Sequence, residues 1–272
     1  MFLRAKPRPT PIKKTPLDHE ALRDVIDLSL WAGQLLLQHG AESARIEETV
    51  HRLGTALGAD WMDILVSPNA IAVTTVSGPE FRTKIRRVVS FKVNMHILDE
   101  VNTVSRWVET GTLDRHQVRE AFQRIDGLPK QYGRWQVIIM VGLACAAFSR
   151  LFGGDWAVFG VTFASSAGAM WVRQELNRRY FNALLVVIIT AFAAAVLASS
   201  ASIFKLSPQP QTALAASVLL LVPGVHLINA AEDLIAGHLV TGMVRGVLGG
   251  LVSLGIALGL ALAIRLLGVG GL

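Results

Sequence analysis

The chain has 272 residues, 52% of them hydrophobic, and its mean hydropathy of +0.46 makes it more apolar than an ordinary soluble domain. Its formal net charge is +6, yet no basic cluster interleaves with aromatic residues, which argues against a nucleic-acid-binding protein. Residues 1–134 contain 19 Lys and Arg with 16 Asp and Glu, whereas residues 135–272 contain 7 and 4. Composition therefore predicts a polar half followed by a membrane half, with the net charge contributed by cations that flank membrane spans.

Residues 1–15 are rich in basic residues and proline, and they predict a disordered basic tail without the apolar core of a secretory signal. Thr15 is predicted to cap a helix in which Pro16 is the first residue. This helix should run to about His39 and stop at Gly40, because glycine commonly ends a helix.

Residues 16–130 are predicted to form an N-terminal cytoplasmic α+β domain. A second amphipathic helix should end near Gly58, and β-branched segments separated by turn residues predict three short strands between residues 61 and 89. Two more amphipathic helices should follow, the second of them opened by a capping box of Asp114 and Gln117.

Residues 131–272 are predicted to be a transmembrane domain of about five helices, so the fold class is an α-helical polytopic membrane protein. Small residues crowd these segments, which suits close helix packing in lipid. The segment from Arg173 to Arg179 is predicted to be a loop on the same side as a cytoplasmic N-terminus, which leaves the C-terminus outside. The predicted spans are about 135–152, 156–172, 181–204, 212–231 and 239–267.

The stretch from Leu219 to His238 combines features that are costly in a bilayer. Pro223 and Gly224 predict a helix break, which transporters tolerate where the helix lines a cavity. Asn229 and Asp233 lie four residues apart on one helical face and are candidates for substrate binding or proton coupling. In a simpler interpretation, Asp233 only ends the span at the interface, and Glu232 beside it is a solvated charge.

Four more residues near this stretch are candidates for the same site, each with a structural alternative. His226 is either a proton carrier or a hydrogen-bonded packing residue. Arg245 either pairs with Asp233 or binds a carboxylate substrate, unless it extends to the cytoplasmic face. His238 and Thr241 are polar residues near the same mouth, or simply a turn and a helix cap.

A second possible site lies in the cytoplasmic domain, at Glu42, Ser43, Arg45 and Asn69. Ser43 would need a histidine base and an orienting group to act as a hydrolase nucleophile, and no G-x-S-x-G elbow is present. Glu42 and Ser43 are therefore interpreted as the cap of the second helix. The seven histidines are scattered and no Walker lysine follows a glycine-rich loop, so neither a metal nor another cofactor is predicted.

Several blocks resemble the threonine/serine exporter family, and more narrowly the larger subunit of its bacterial two-subunit type, which is implicated in succinate export. The resemblance is carried by QHGAES at 38–43, RLGTALG at 52–58, SPNAIAVTT at 67–75, NMHI at 94–97, MVGLACAAF at 140–148, RQ at 173–174 and AASVLLLVPG with LINA and GH at 215–242. Where the family pattern has an aromatic and a second proline after VPG, this chain has Val225 and His226.

The resemblance implies a secondary exporter of the inner membrane that moves a succinate-like dicarboxylate, threonine or serine. It implies a small, separately encoded membrane subunit as partner, since the chain stops at Leu272 where single-chain members continue, and a homo- or hetero-oligomer. Other classes remain open at this point: a membrane-anchored hydrolase, or a ligand sensor whose cytoplasmic domain carries the activity.

Overall fold

The computed structural model describes residues 15–89, 91–129 and 131–268, and the chain forms two compact units. The first unit combines the residues up to Pro129 with Val225–Gly246, and the second combines Lys130–Gly224 with Val247–Leu272. The predicted tail, apart from residue 15, lies outside the described residues, as do residues 269–272.

Eleven helices and three strands follow one another along the described residues. The helices are α1 (His19–Gln38), α2 (Ser43–Ala56), α3 (Met95–Glu109), α4 (Arg115–Asp126), α5 (Arg134–Leu151), α6 (Trp156–Arg178), α7 (Ala183–Ala198), α8 (Ser200–Ile203), α9 (Pro210–Ser217), α10 (Gly224–Ala236) and α11 (Leu239–Leu267), with a 3-10 turn at Leu219–Leu221. The strands, which confirm the three predicted from the sequence, are β1 (Trp61–Ser67), β2 (Ala70–Ser77) and β3 (Glu80–Arg87).

The first unit is built on an antiparallel sheet of order β1-β2-β3 packed against α1. Ile71 and Val73 of β2 are buried on the face toward the core, as the two-residue period of a strand requires. The cations of β3 lie on one face of the strand, and Lys84 among them pairs with Asp27 of α1 at 2.5 Å. The charged face of β3 therefore lies toward α1, where Lys84 has an acidic partner.

Helix starts in this unit follow their capping residues. Asp18, not Thr15, is the N-cap of α1, and its side chain accepts a hydrogen bond from the Ala21 amide at 2.7 Å. The predicted start at Thr15 and Pro16 was wrong because Asp18 satisfies a free amide of the first turn and the chain before it is not helical. The predicted capping box of Asp114 and Gln117 is confirmed at α4.

The second unit contains long apolar helices. Among the described residues, Arg134–Leu151, Ala183–Ile203 and Leu239–Leu267 are long and apolar enough to cross a membrane. A fourth span results if Pro210–Leu221 and Gly224–Ala236 count as one broken span. The chain is thus mostly helical with three or four candidate spans, and the count of five stays a prediction.

Close approach between helices characterises this unit. A Cβ atom on Gly259 of α11 would lie 2.5 Å from the Ile188 carbonyl oxygen of α7, so only glycine fits. Helix α6 continues to Arg178, so the loop predicted from Arg173 was wrong: no proline or glycine interrupts the helix there.

Candidate functional site

The first turn of α2 lacks a side-chain cap of its own. Gly40, with a φ of +94°, ends α1 and turns the chain toward α2. Glu42 occupies the N-cap position, but its carboxylate accepts a hydrogen bond from Arg45 Nε at 2.9 Å instead of capping the helix. Helix α2 thus begins at the predicted residues, Glu42 and Ser43, but without a side-chain cap from Glu42, so the amides at its start require another acceptor.

Asp233 of α10 supplies that acceptor. Its Oδ1 accepts a hydrogen bond from the Ser43 amide at 2.8 Å, although the two residues are 190 positions apart. The carboxylate is completely buried. Because a helix N-terminus carries partial positive charge, it stabilises an anion placed there. Asp233, from a distant part of the chain, thus caps the N-terminus of α2 with its side chain.

Arg245 of α11 completes the charge balance. Its Nη1 lies 2.8 Å from Asp233 Oδ2, and its Nη2 donates to the Ala41 carbonyl oxygen at 2.8 Å. The arginine side chain is only 14% exposed. A buried ion pair is tolerable when additional hydrogen bonds satisfy both ions, and this pair has such bonds on each side.

Asn229 lies one helical turn before Asp233 and contacts the same segment. Its Nδ2 donates to the Gly40 carbonyl oxygen at 2.7 Å. The side chains of Asn229, Asp233 and Arg245, together with the backbone of 40–43, are called the α2-cap cluster below. The sequence placed Asn229 and Asp233 on one face, and the structure brings that face to the start of α2.

The helix break predicted at Pro223 and Gly224 lies directly before α10. Val222 and Pro223 are outside any helix, and α10 begins at Gly224. Proline has no amide hydrogen to donate, so its place before the first turn leaves no helix bond unmade. His226 is partly buried and makes no hydrogen bond to the residues that the structure describes. Glu232 is exposed, as expected for a solvated charge.

His238 and Thr241 lie in and after the turn that joins α10 to α11. His238 Nδ1 is 3.6 Å from Glu47 Oε1 of α2, and the Thr241 hydroxyl is at the limit of hydrogen bonding, 3.5 Å from the Val66 carbonyl oxygen. Burial raises the pKa of Glu47; His238 opposes this shift and Asp233 adds to it. Glu47 thus joins the neighbourhood of the cluster, where the sequence had suggested only a polar outer face of α2.

Two of the residues predicted for a cytoplasmic site stay apart from the cluster. Arg45 pairs with Glu42 and with no other acid among the described residues, and Asn69 is exposed in the turn between β1 and β2. The Ser43 hydroxyl is buried and makes no hydrogen bond to any described residue, so no imidazole is in place to activate it. Within the described ranges, no group of three or more His, Cys, Asp or Glu side chains is placed to hold a metal.

The α2-cap cluster contains the groups that recognise a carboxylate: a guanidinium, a helix N-terminus and a side-chain amide. Here the guanidinium and the helix N-terminus hold the carboxylate of Asp233, whereas the Asn229 amide donates to the Gly40 carbonyl oxygen. The three or four apolar helices of spanning length among the described residues are typical of a polytopic membrane protein.

The chain belongs to the threonine/serine exporter family. The family described as "Putative threonine/serine exporter" matches residues 27–267, which covers nearly the whole chain. The family resemblance suggested by the sequence blocks is thereby confirmed, and the chain is a membrane protein of an export family.

Individual relatives refine this placement. The chain is 42% identical over 229 residues to the "Probable succinate transporter subunit YjjP" of Escherichia coli, covering 83% of this chain and 88% of that protein. The protein of the same name from Klebsiella aerogenes is 42% identical over 231 residues, covering 84% and 88%. The "Threonine/serine exporter" of Corynebacterium glutamicum is 24% identical over 250 residues, which are 89% of this chain but 51% of that protein. No solved structure matches the chain.

Proposed function

We propose that this chain is one subunit of an inner-membrane exporter that moves a small carboxylate out of the cell, either a succinate-like dicarboxylate or threonine or serine. The observation that carries the proposal is the buried Asp233–Arg245 pair at the start of α2. A site that already holds a carboxylate by charge and hydrogen bonds has the chemistry to hold that of a substrate. The names of the relatives point to the same class of cargo.

Exchange between two carboxylates is the proposed mechanism. In the described state, Asp233 occupies both the Arg245 guanidinium and the Ser43 amide. Protonation of Asp233 would remove the ion pair and leave Arg245 buried with its charge uncompensated, a state that an incoming carboxylate would stabilise. Loss of the proton would restore the internal pair and expel the substrate. Export would then be coupled to proton movement, with Glu47 and His238 as neighbouring proton carriers.

We propose that the exporter contains a second protein subunit. Two relatives are named transporter subunits, and the chain corresponds to about half the length of the Corynebacterium glutamicum exporter. We infer that a small membrane subunit, encoded separately, supplies the remainder of the transport path. The N-terminal α+β part would lie on the cytoplasmic side and collect substrate, with the N-terminus inside and the C-terminus outside.

The decisive experiment compares two adjacent carboxylates of α10. Asp233→Asn should reduce the efflux of labelled succinate, threonine or serine, whichever the wild type exports, to the level of cells lacking the chain. Glu232→Gln is the matched control, since Glu232 is exposed and one residue away. It should export at the wild-type rate. Efflux is measured at two external pH values from cells that also express the small companion subunit.

Membrane content of each variant is measured by immunoblot, so that loss of protein is not mistaken for loss of transport. Full export by Asp233→Asn at normal membrane content would contradict the proposed site. A wild-type chain and companion that change the efflux of none of the three solutes would contradict the proposed function.

A further inference from the structure

The second unit contains a cavity of about 260 Å³ that the α2-cap cluster does not use. Val141, Cys145 and Phe148 of α5 line one side, and Met170 and Arg173 of α6 line another. Leu220, from the 3-10 turn just before the helix break, closes it. Its volume is just below the roughly 300–1,000 Å³ of pockets for drug-sized ligands, so it suits a molecule of a few carbon atoms.

Arg173 is the charged residue of this lining. Its Nη1 donates to the Leu220 carbonyl oxygen at 3.3 Å, and it forms no ion pair with any residue that the structure describes. The neighbouring acid, Glu175, is already shared between Arg134 and Arg179. A guanidinium has five N–H donors and a permanent charge, which are costly to leave unmatched beside apolar side chains.

We propose that Arg173 binds the carboxylate of a small organic acid in this cavity, as a second substrate-binding position distinct from the α2-cap cluster. The apolar walls would accommodate a short carbon chain while the guanidinium receives the carboxylate through paired hydrogen bonds. This inference rests on the proposed export function for the class of ligand.

The position of Leu220 gives the cavity a connection to the helix break. Leu220 lies in the turn Leu219–Leu221, two residues before Val222 and three before Pro223. The same guanidinium that donates one hydrogen bond to the Leu220 carbonyl has further N–H donors for a carboxylate. Arg173 therefore links an occupied cavity to the turn that leads into the broken segment.

The single cysteine of the chain reports on the cavity directly, because Cys145 is part of the lining. Purified full-length chain in a neutral detergent is treated with N-ethylmaleimide, and the labelling rate of Cys145 is followed by mass spectrometry. Succinate should slow labelling at least fivefold, whereas the uncharged succinamide should have no effect. Arg173→Gln should abolish the protection by succinate, and Arg173→Lys should keep part of it.

Arg150→Gln is the matched control, since Arg150 is a cation of α5 that bonds the Gly154 carbonyl and does not line the cavity. It should keep full protection. Thermal unfolding with and without succinate provides a second measurement: the ligand should raise the wild-type midpoint by more than that of Arg173→Gln, which retains only the α2-cap cluster.

Equal protection of wild type and Arg173→Gln, protection by succinamide, or no succinate effect on either labelling or unfolding would overturn the inference. So would protection by inorganic phosphate or added anionic lipid but not by succinate, which would assign Arg173 to a phosphate group. This test and the export test can fail independently. Export of solute without protection of Cys145 by succinate would contradict the cavity site alone. Protection of Cys145 without export would contradict the proposed export function.

Discussion

Asp233 is a carboxylate without solvent contact whose two oxygens are both engaged, one by an amide and one by a guanidinium. Its energetic role follows from this double contact. In the low dielectric of a protein interior, an unpaired charge costs far more than the pair contributes. Either ion of the Asp233–Arg245 pair therefore depends on the other, as the exchange mechanism that we propose requires.

Replacing both ions should lower the free energy of unfolding by less than the sum of the losses from the two single replacements. Asp233→Asn and Arg245→Met should each lower the free energy of unfolding by about 3–5 kcal/mol, since each leaves a buried partner uncompensated. The double variant should be less destabilised than the sum of the two. Denaturant unfolding in detergent micelles measures all three. Arg45, whose side chain is 52% exposed in its pair with Glu42, is the control, and Arg45→Gln should change stability by less than about 1 kcal/mol. Additive losses for Asp233 and Arg245 would mean that the pair is not coupled.

Glu47 should make stability depend on pH. Its folded-state pKa is raised above the ordinary 4.5, mainly by burial, so its contribution is fully present below pH 4.5 and is lost as the pH rises through the raised value. The Glu47→Gln variant has no ionisable carboxyl group at this position, so it lacks this pH dependence. The unfolding midpoint of the wild type should therefore fall relative to Glu47→Gln as the pH rises from about 4.5 toward 7.

Other charges face Glu47, and they must be controlled. His238 and Asp233 lie on the α10 side, and the adjoining groove is lined by Glu48, His51, Arg52, Asp63 and Glu109. Adding His238→Gln to the wild type and to Glu47→Gln removes the imidazole titration from both proteins, and the pH-dependent difference between them should persist. Parallel pH profiles in all four proteins would show that Glu47 titrates normally.

At the scale of elements, the broken helix and the α1–α2 connection act together. The chain is not helical at Val222 and Pro223, and α10 begins directly after them. Asn229 and Asp233 of α10 contact the backbone of residues 40–43. The connection exposes carbonyl groups because Gly40 adopts a left-handed conformation, which a residue with a side chain adopts only with strain. One glycine thus presents the acceptor that Asn229 uses.

Gly40→Ala should impair both stability and export. An alanine at a φ of +94° is strained, and Gly111, with a φ of +72° in the turn after α3, provides a matched comparison. Each substitution should cost about 1–2 kcal/mol of unfolding free energy. Only Gly40→Ala should also lower efflux, because only Gly40 contacts Asn229. Equal efflux by the two variants would indicate that the geometry of this connection does not matter to transport.

At the scale of the molecule, the first unit is assembled from two distant parts of the chain. Three hydrogen bonds of the α2-cap cluster join residues 189 to 204 positions apart, and a fourth joins Arg245 to Asp233. The second unit supplies most of the apolar helices, and the positive-inside rule applied to its cations predicts the orientation that we propose. Arg178 and Arg179 at the end of α6 are the cations that this rule places inside.

Cysteine accessibility tests that orientation. In a Cys145→Ala background, Tyr180→Cys and Gln209→Cys place single thiols before α7 and after α8, both at exposed positions. A membrane-impermeant maleimide should label Gln209→Cys in intact cells, and Tyr180→Cys only after the cells are permeabilised. The reverse pattern would invert the predicted orientation, and labelling of both in intact cells would contradict a span between them.

The sequence by itself determined the features that depend on near neighbours along the chain. The three strands, the capping box of Asp114 and Gln117, the helix break at Pro223 and the shared face of Asn229 and Asp233 all follow from backbone geometry and side-chain period. The misplaced start of α1 and the loop predicted from Arg173 concern boundaries, where several local signals compete.

Only the tertiary structure decided which groups those side chains meet. Nothing local to α2 indicates that its cap comes from Asp233, and nothing local to Arg245 selects the Ala41 carbonyl over an interfacial position. The raised pKa of Glu47 likewise depends on burial near α10. Hydrogen bonds and charge pairs act over a few ångströms in space, so a partner 190 residues away is fixed by packing of the whole unit and leaves no periodic trace in the sequence.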